Sequence, residues 1–326
     1  MKRIAPLATV VALLLSVILS LQVGASQIDS FWSSLFHPAA NEILWQIRIP
    51  RVIAAVIVGA ALGIAGLLAQ GACNNALAEP SILGTSAGAA LGAVLGILTG
   101  LVTVGSLGAI ACGAVGAIVA TGATFKLASL RGSLSSFSLI IVGIAVSALF
   151  TSIVGLFTAM VTRADARSIS FWNFGSFALI TRENLIGITL TTVIGAVIAL
   201  RIAGSLDRLT LGDSTAFHLG VDVYKVRWVA LIALSILAGG AVSTVGTIAF
   251  IGLAAPHIAR FMYGPAHKFL VGQSALIGAL IVLIADTIAR TVAQPNELPI
   301  GLITSLIGAP VLIGLVTIKN HVWKTP

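Results

Sequence analysis

Apolar runs of about twenty residues recur from one end of this chain to the other, and no other feature narrows its fold so far. We read ten of them, at roughly 6–25, 50–72, 82–100, 104–128, 137–161, 184–203, 226–246, 248–264, 269–292 and 299–318. As a helix, a run of this length crosses a hydrocarbon core about 30 Å thick; the eighth is short enough to be a partial crossing. Backbone in lipid must satisfy its own polar groups, which leaves helices and closed barrels as the spanning structures. The short alternating strands of a barrel are not visible here. Composition agrees, with 58% hydrophobic and 9% charged residues where a soluble domain carries about 25% charged. The expected fold class is an all-α polytopic membrane protein with about ten transmembrane helices.

The first run follows Lys2 and Arg3 and ends in small residues near Val23-Gly24-Ala25, as a cleaved signal peptide would. Its apolar stretch exceeds the usual signal core of about 7–15 residues, so a retained span is expected. Counting basic residues then orients the chain. With the N-terminus inside, the inner side holds Lys2, Arg3, Lys126, Arg131, Arg201, Arg208, Lys225, Arg227, Arg260, Lys268, Lys319 and Lys324, twelve of the eighteen. The outer side holds six arginines and no lysine: Arg48, Arg51, Arg163, Arg167, Arg182 and Arg290. This bias places both termini in the cytoplasm. It also accounts, with inner-leaflet lipid, for the net charge of +8 without any nucleic-acid partner.

Two stretches look like copies of one another. Residues 51–66, RVIAAVIVGAALGIAG, and 227–243, RWVALIALSILAGGAVS, each open with an arginine at the head of an apolar run. Each is followed by an L-A-x-P element, Leu77-Ala78-Glu79-Pro80 and Leu253-Ala254-Ala255-Pro256, at the same offset (227 − 51 = 176 and 256 − 80 = 176). Five crossings separate the copies, so the second points the opposite way, the arrangement of many transporters. Chance likeness between two Ala/Val/Leu-rich helices is the alternative. The whole chain, 1–326, reads as one transmembrane domain, with a first repeat at about 48–161, a second at about 224–318 and an inner loop at 204–223.

Chemistry-bearing residues are few. Cys73 and Cys112 lie at or within spans without metal-ligand spacing and read as small apolar fillers. His257 has no second ligand at metal spacing and is assigned to packing and helix-end hydrogen bonding. His37, His218, His267 and His321 read as loop or tail residues without a partner. Asp286 is the one carboxylate well inside a span, a functional candidate by position, and it supports the rival reading of a proton-coupled secondary transporter. No G-x-x-x-x-G-K-[ST] occurs, nor any Gly-Lys pair, so the chain has no phosphate-cradling loop of that kind. Gly84, Gly88, Gly92, Gly96 and Gly100 recur every fourth residue and give the third span a smooth face for close helix packing. In the fifth span Gly143, Ser147, Thr151, Gly155 and Thr158, with Thr162 beyond, form a mildly polar stripe. In the inner loop, SLDRLTLG (205–212) and DSTAFHLG (213–220) each open on an N-cap residue and end on glycine, which predicts two short helices side by side.

Several motifs, in order, resemble the FecCD family of ABC importer permeases: RIPR (48–51), GAALGIAGLLAQ (59–70), NALAEPSILGTSAGA (75–89), GTIAFIGLAAPHIAR (246–260), ADTIAR (285–290) and ELPIGLITSLIGAP (297–310). The resemblance runs from about residue 45 to the C-terminus. It implies the type II ABC importer permease fold, two permease subunits (identical or close paralogues) around one path, two cytoplasmic ABC ATPase subunits that bind ATP and magnesium, and an extracytoplasmic substrate-binding protein. It implies no cofactor or catalytic residue of the chain's own, a location in the bacterial inner membrane, and import by alternating access of a ferric siderophore or other iron chelate. Haem and cobalamin are the alternatives, and small oxyanions a further one.

The resemblance also implies site residues. Asn75 and Leu77 match the family's N-P-L-A cytoplasmic gate, although Ala76 stands where the proline is usual; Ser135 and Ser136 match a second gate element. Ser147, Thr151 and Thr158 would line the translocation path. Leu209, Leu211, Gly212, Phe217, Leu219 and Gly220 would form the coupling helices that dock on the ATPase. Arg48, Arg51 and Arg290 match arginines that meet acidic residues of the binding protein. The alternatives are a plain inter-helix turn, inter-helix hydrogen bonding, an amphipathic surface loop, and interfacial anchoring or internal pairing such as Arg290 with Asp286.

Overall fold

In a computed structural model of the chain, residues 5–24, 31–36, 42–103, 106–130, 135–162, 169, 172–294 and 296–322 are described, and structural statements concern these. Regular structure among them is helical throughout. In chain order the α-helices are α1 (Ala5–Gln22), α2 (Phe31–Phe36), α3 (Ile49–Ala72), α4 (Thr85–Leu98), α5 (Leu107–Ser129), α6 (Ser136–Met160), α7 (Arg182–Leu209), α8 (Asp213–His218), α9 (Val223–Val245), α10 (Ile251–Tyr263), α11 (His267–Ala289) and α12 (Ile300–Val322). A π-helical turn (Ile43–Arg48) runs into α3, and a 3-10 turn (Pro80–Leu83) precedes α4.

Each of the ten apolar runs falls on a helix. Six stretches are long and apolar enough to cross a membrane: 43–72, 107–129, 136–160, 182–209, 223–245 and 267–289. The other four, α1, α4, α10 and the apolar part of α12, are shorter, so ten full crossings are not established. Of the basic residues that orient the chain, Lys2, Arg3, Arg131, Arg163, Arg167 and Lys324 lie outside the described residues.

The core is built around α3, buried along nearly its whole length and packed on α11, α9, α7 and α10. Glycine is what lets it sit so deep. A Cβ added at Gly59 would collide with the Gly278 carbonyl, and one at Gly63 with that of Ser274, so α3 and α11 meet backbone to backbone. The glycine ladder of the third span behaves likewise: Gly88 and Gly92 abut the carbonyls of Gly116 and Cys112 on α5. By contrast α6 and α7 leave most of their apolar surface uncovered, with Ile144, Leu149, Leu156, Leu190 and Val197 exposed.

Not all the buried chain is helical. After α9, residues 246–250 run without helix into α10. Backbone in such a place needs partners. Ser176 N–H donates to the Val245 carbonyl at 2.8 Å, the Thr247 hydroxyl donates to the Asn173 carbonyl, and Ile300 N–H donates to Gly175 at 3.0 Å.

The inner loop departs from expectation. Residues 205–209 are not a separate helix but the last turn and a half of α7, which starts at a Thr181–Asn184 capping box. Ser205 lies mid-helix, because Ala199, Ala203, Leu206 and Leu209 extend one buried stripe past it. Only 213–218 forms a short helix, and its cap position is Gly212, at φ +97°, rather than Asp213.

Candidate functional site

The loop from α3 to α4 is a folded turn. Asn74 takes φ +44°, one of two non-glycine residues in the left-handed region among those described. Asn75 N–H donates to the Gln70 carbonyl, while its side-chain Oδ1 accepts the Leu77 N–H at 2.9 Å, an Asx-type closure that holds the turn with alanine at 76. Leu77 is thereby left exposed. The following 3-10 turn is pinned from two sides: the Ser147 hydroxyl of α6 donates to the Ser81 carbonyl at 2.9 Å, and the Thr124 hydroxyl of α5 to Leu83 at 3.0 Å.

The polar stripe of the fifth span therefore divides. Gly143 and Ser147 face the chain's own turn, Thr151 is exposed, and Thr158 bonds back to Val154 within α6. Ser135 accepts the Ser138 N–H and caps α6, and Ser136 is the first residue of that helix.

Glu79, in the same loop, was not singled out by the sequence reading. Its Oε1 accepts the Phe250 N–H at 2.8 Å, one of the orphan donors at the start of α10, where Phe250 sits at φ +67°. Burial pushes the Glu79 carboxyl above the usual carboxylate range, opposed by the bonds from Phe250 and Ser81. The two L-A-x-P elements thus come together through unlike structures: Pro80 opens a 3-10 turn, whereas Pro256 lies inside α10.

At the other loop, α8 and the residues flanking it leave Leu211, Phe217 and Leu219 exposed. Leu209, expected among them, is instead buried as the end of α7's inner stripe. Gly212 and Gly220, at φ +97° and +78°, flank α8 in open space.

Beside the buried Ala216 and Val221, two polar ties bind this loop to the bundle. Arg227, at the head of α9 and buried, sends Nε to the Ala72 carbonyl at 3.0 Å and its two terminal nitrogens to the two oxygens of Asp213, each at 2.9 Å. His267, expected to be unpartnered, is buried at the head of α11. Its Nδ1 lies 2.7 Å from Asp207 Oδ1, which also accepts the His267 backbone N–H at 2.8 Å.

The arginines read as docking forks gather at the opposite end of α3 and are turned inward. A guanidinium there must find partners. Arg51 makes bonds of 2.8 Å to both Asp286 and Glu297, Arg48 donates to the Leu21 and Gln22 carbonyls at the end of α1, and Arg290 donates to the backbone carbonyl and hydroxyl of Ser20. All three are buried, so internal pairing describes their geometry. Asp286 has Arg51 as its principal partner, with Arg290 farther away at 3.8 Å. Among the described residues Arg51 and Arg290 share Asp286, Arg51 also holds Glu297, and Arg48 bonds backbone carbonyls. Among the described residues no group of His, Cys, Asp and Glu is placed to hold a metal ion.

A family model described as the FecCD transport family matches residues 12–318. The iron(3+)-hydroxamate import permease FhuB of Bacillus subtilis is 37% identical over 306 residues, covering 91% of this chain and 79% of that protein. The hemin transport permease HmuU of Yersinia pestis is 36% identical over 317 residues, 93% of each. The vitamin B12 import permease BtuC of Vibrio cholerae is 33% identical over 315 residues, 95% of this chain and 93% of that one. Among solved structures, a chain described as a metal-chelate type ABC transporter in an inward-facing conformation superposes with a TM-score of 0.82 at 30% identity, over 96% of this chain and 98% of the other.

Proposed function

The chain belongs to the FecCD transport family, and from that premise we propose that it is the membrane permease subunit of an ABC importer for an iron chelate, haem or cobalamin. Within that range the proposed cargo is a ferric siderophore. The carrying observation is the pairing of a multi-helix bundle with the uncovered apolar face of Leu211, Phe217 and Leu219, in a chain with no phosphate-cradling loop. Hydrolysis then belongs to two partner ATPases, which bind ATP and magnesium and dock on that face. A second permease subunit, a copy or a paralogue, covers the exposed apolar sides of α6 and α7 not met by lipid, and Thr151 and Thr158 line the path between subunits. Asn75 and Leu77, with Ser135 and Ser136, form the inner gate, and access alternates between the two sides of the membrane.

An extracytoplasmic binding protein selects the cargo and docks at the opposite end. There Arg48, Arg51 and Arg290 act through the shape they hold rather than as free forks. Both termini lie in the cytoplasm. The proton-coupled alternative gains no support from Asp286, which is held between two guanidinium groups.

The test is uptake into proteoliposomes holding the permease with its ATPase and binding protein, offered a ferric siderophore, haem and cobalamin in turn. ATP-dependent uptake of one of them is expected. Uptake by the purified chain alone, driven by a pH gradient without nucleotide, would overturn the reading.

A further inference from the structure

We propose that Arg227 is a positioning residue that carries displacement of α8 to the gate loop behind α3; this rests on the functional reading above. A single buried guanidinium touches both elements. Its Nε holds the carbonyl of Ala72, the last residue of α3, immediately before the turn that presents Asn75 and Leu77. Its other two nitrogens grip Asp213, the first residue of α8, one turn before Phe217.

The bidentate fork fixes direction as well as distance, which a lysine's point charge does not. Burial keeps the guanidinium largely from water, so a shift of Asp213 draws the guanidinium with it or costs it the charge-assisted pair, while its Nε stays on Ala72. The rest of the loop is arranged to pass motion along this route. Asp207 is tied to the head of α11 through His267, which anchors the end of α7. Beyond that anchor α8 lies between Gly212 and Gly220, both at positive φ with open space where a Cβ would stand, and it packs its buried Ala216 against the bundle. The two glycines leave the backbone free on either side of the short helix, and among the described residues its charged grip on the bundle is Asp213, beside the apolar contact of Ala216.

The experiment uses the full importer complex in proteoliposomes. Asp213 is half-exposed, so Asp213→Asn is the primary variant, with Asp213→Glu as the conservative rescue. Two quantities are read: cargo moved per ATP hydrolysed, and maleimide labelling of Leu77→Cys with and without ATP. Asp213→Asn is expected to lower the first roughly tenfold, the scale of one lost charge-assisted pair, and to abolish the ATP-dependent change in the second. Asp213→Glu is expected to recover both. A parental ratio and a parental labelling response in Asp213→Asn would overturn the proposal, as would an Asp213→Glu no better than Asp213→Asn. A parent complex that moves no cargo on ATP would instead overturn the functional reading.

Discussion

Arg51 shows how a buried charge is kept. It is wedged between Asp286 on α11 and Glu297 beyond it, partners 235 and 246 residues away in sequence. Removing one member of such a group leaves an uncompensated ion, so Asp286→Ala is expected to cost about 3–5 kcal/mol, read as a large fall in the melting temperature of the detergent-purified chain. Glu79 behaves differently. Its ionised form is disfavoured by burial, so the folded state holds its proton to higher pH than the unfolded one. Stability should therefore fall as pH rises from the ordinary carboxylate range to the raised value. Glu79→Gln keeps an acceptor for Phe250 and should flatten that dependence, whereas Glu79→Ala should lose about 1–3 kcal/mol by orphaning the N–H. Thermal melts from pH 4 to 8 (about the span of interest for a carboxyl so placed) check both. The arginines were legible in the sequence as special, as was the Arg290–Asp286 pair one turn apart; the partners of Arg51 and Arg48 were not, because long-range pairs leave no local pattern. His267 was missed for the same reason: the carboxylate that meets it is 60 residues upstream.

Helices that touch by glycine have little room for error. Gly88→Ala would drive a methyl into the Gly116 carbonyl and force α4 and α5 apart, whereas a Cβ at Gly272 on α11 meets nothing. Gly88→Ala should lower stability by about 1–3 kcal/mol, and Gly272→Ala should leave it unchanged or raise it by up to about 1 kcal/mol; denaturation of the two variants side by side separates them. The four-residue glycine spacing announced the first contact, since sequence period and helix period coincide. Punctuation was harder to read. Ser205 and Gly212 look like the bounds of one short helix, but a serine caps only where the chain has already left the helix, and α7 has not.

At the scale of the molecule, the order of apolar runs carried the bundle, and Arg227 at the head of α9 reaches Ala72 at the tail of α3, so those two packed helices lie antiparallel. How unlike the two L-A-x-P elements become was not legible, because their surroundings rather than their letters decide between turn and helix. The proposed coupling face belongs to this scale too. Phe217→Asp with Leu219→Asp should leave the fold intact, since both side chains are exposed, yet cut ATP-driven uptake at least about tenfold; uptake assays of the assembled complex decide it. The length of α7 has its own consequence. Its 28 residues make a rod of about 42 Å against a hydrocarbon core of about 30 Å. Under the proposed function the surplus would set the stand-off between bilayer and motor, and the helix sets an azimuth, since one added residue turns everything beyond it by about 100°. On the proposed docking the permease would work as a keyed shaft: adding a single alanine just before Leu206 would leave the reach almost unchanged and point the key at the wrong wall of its socket.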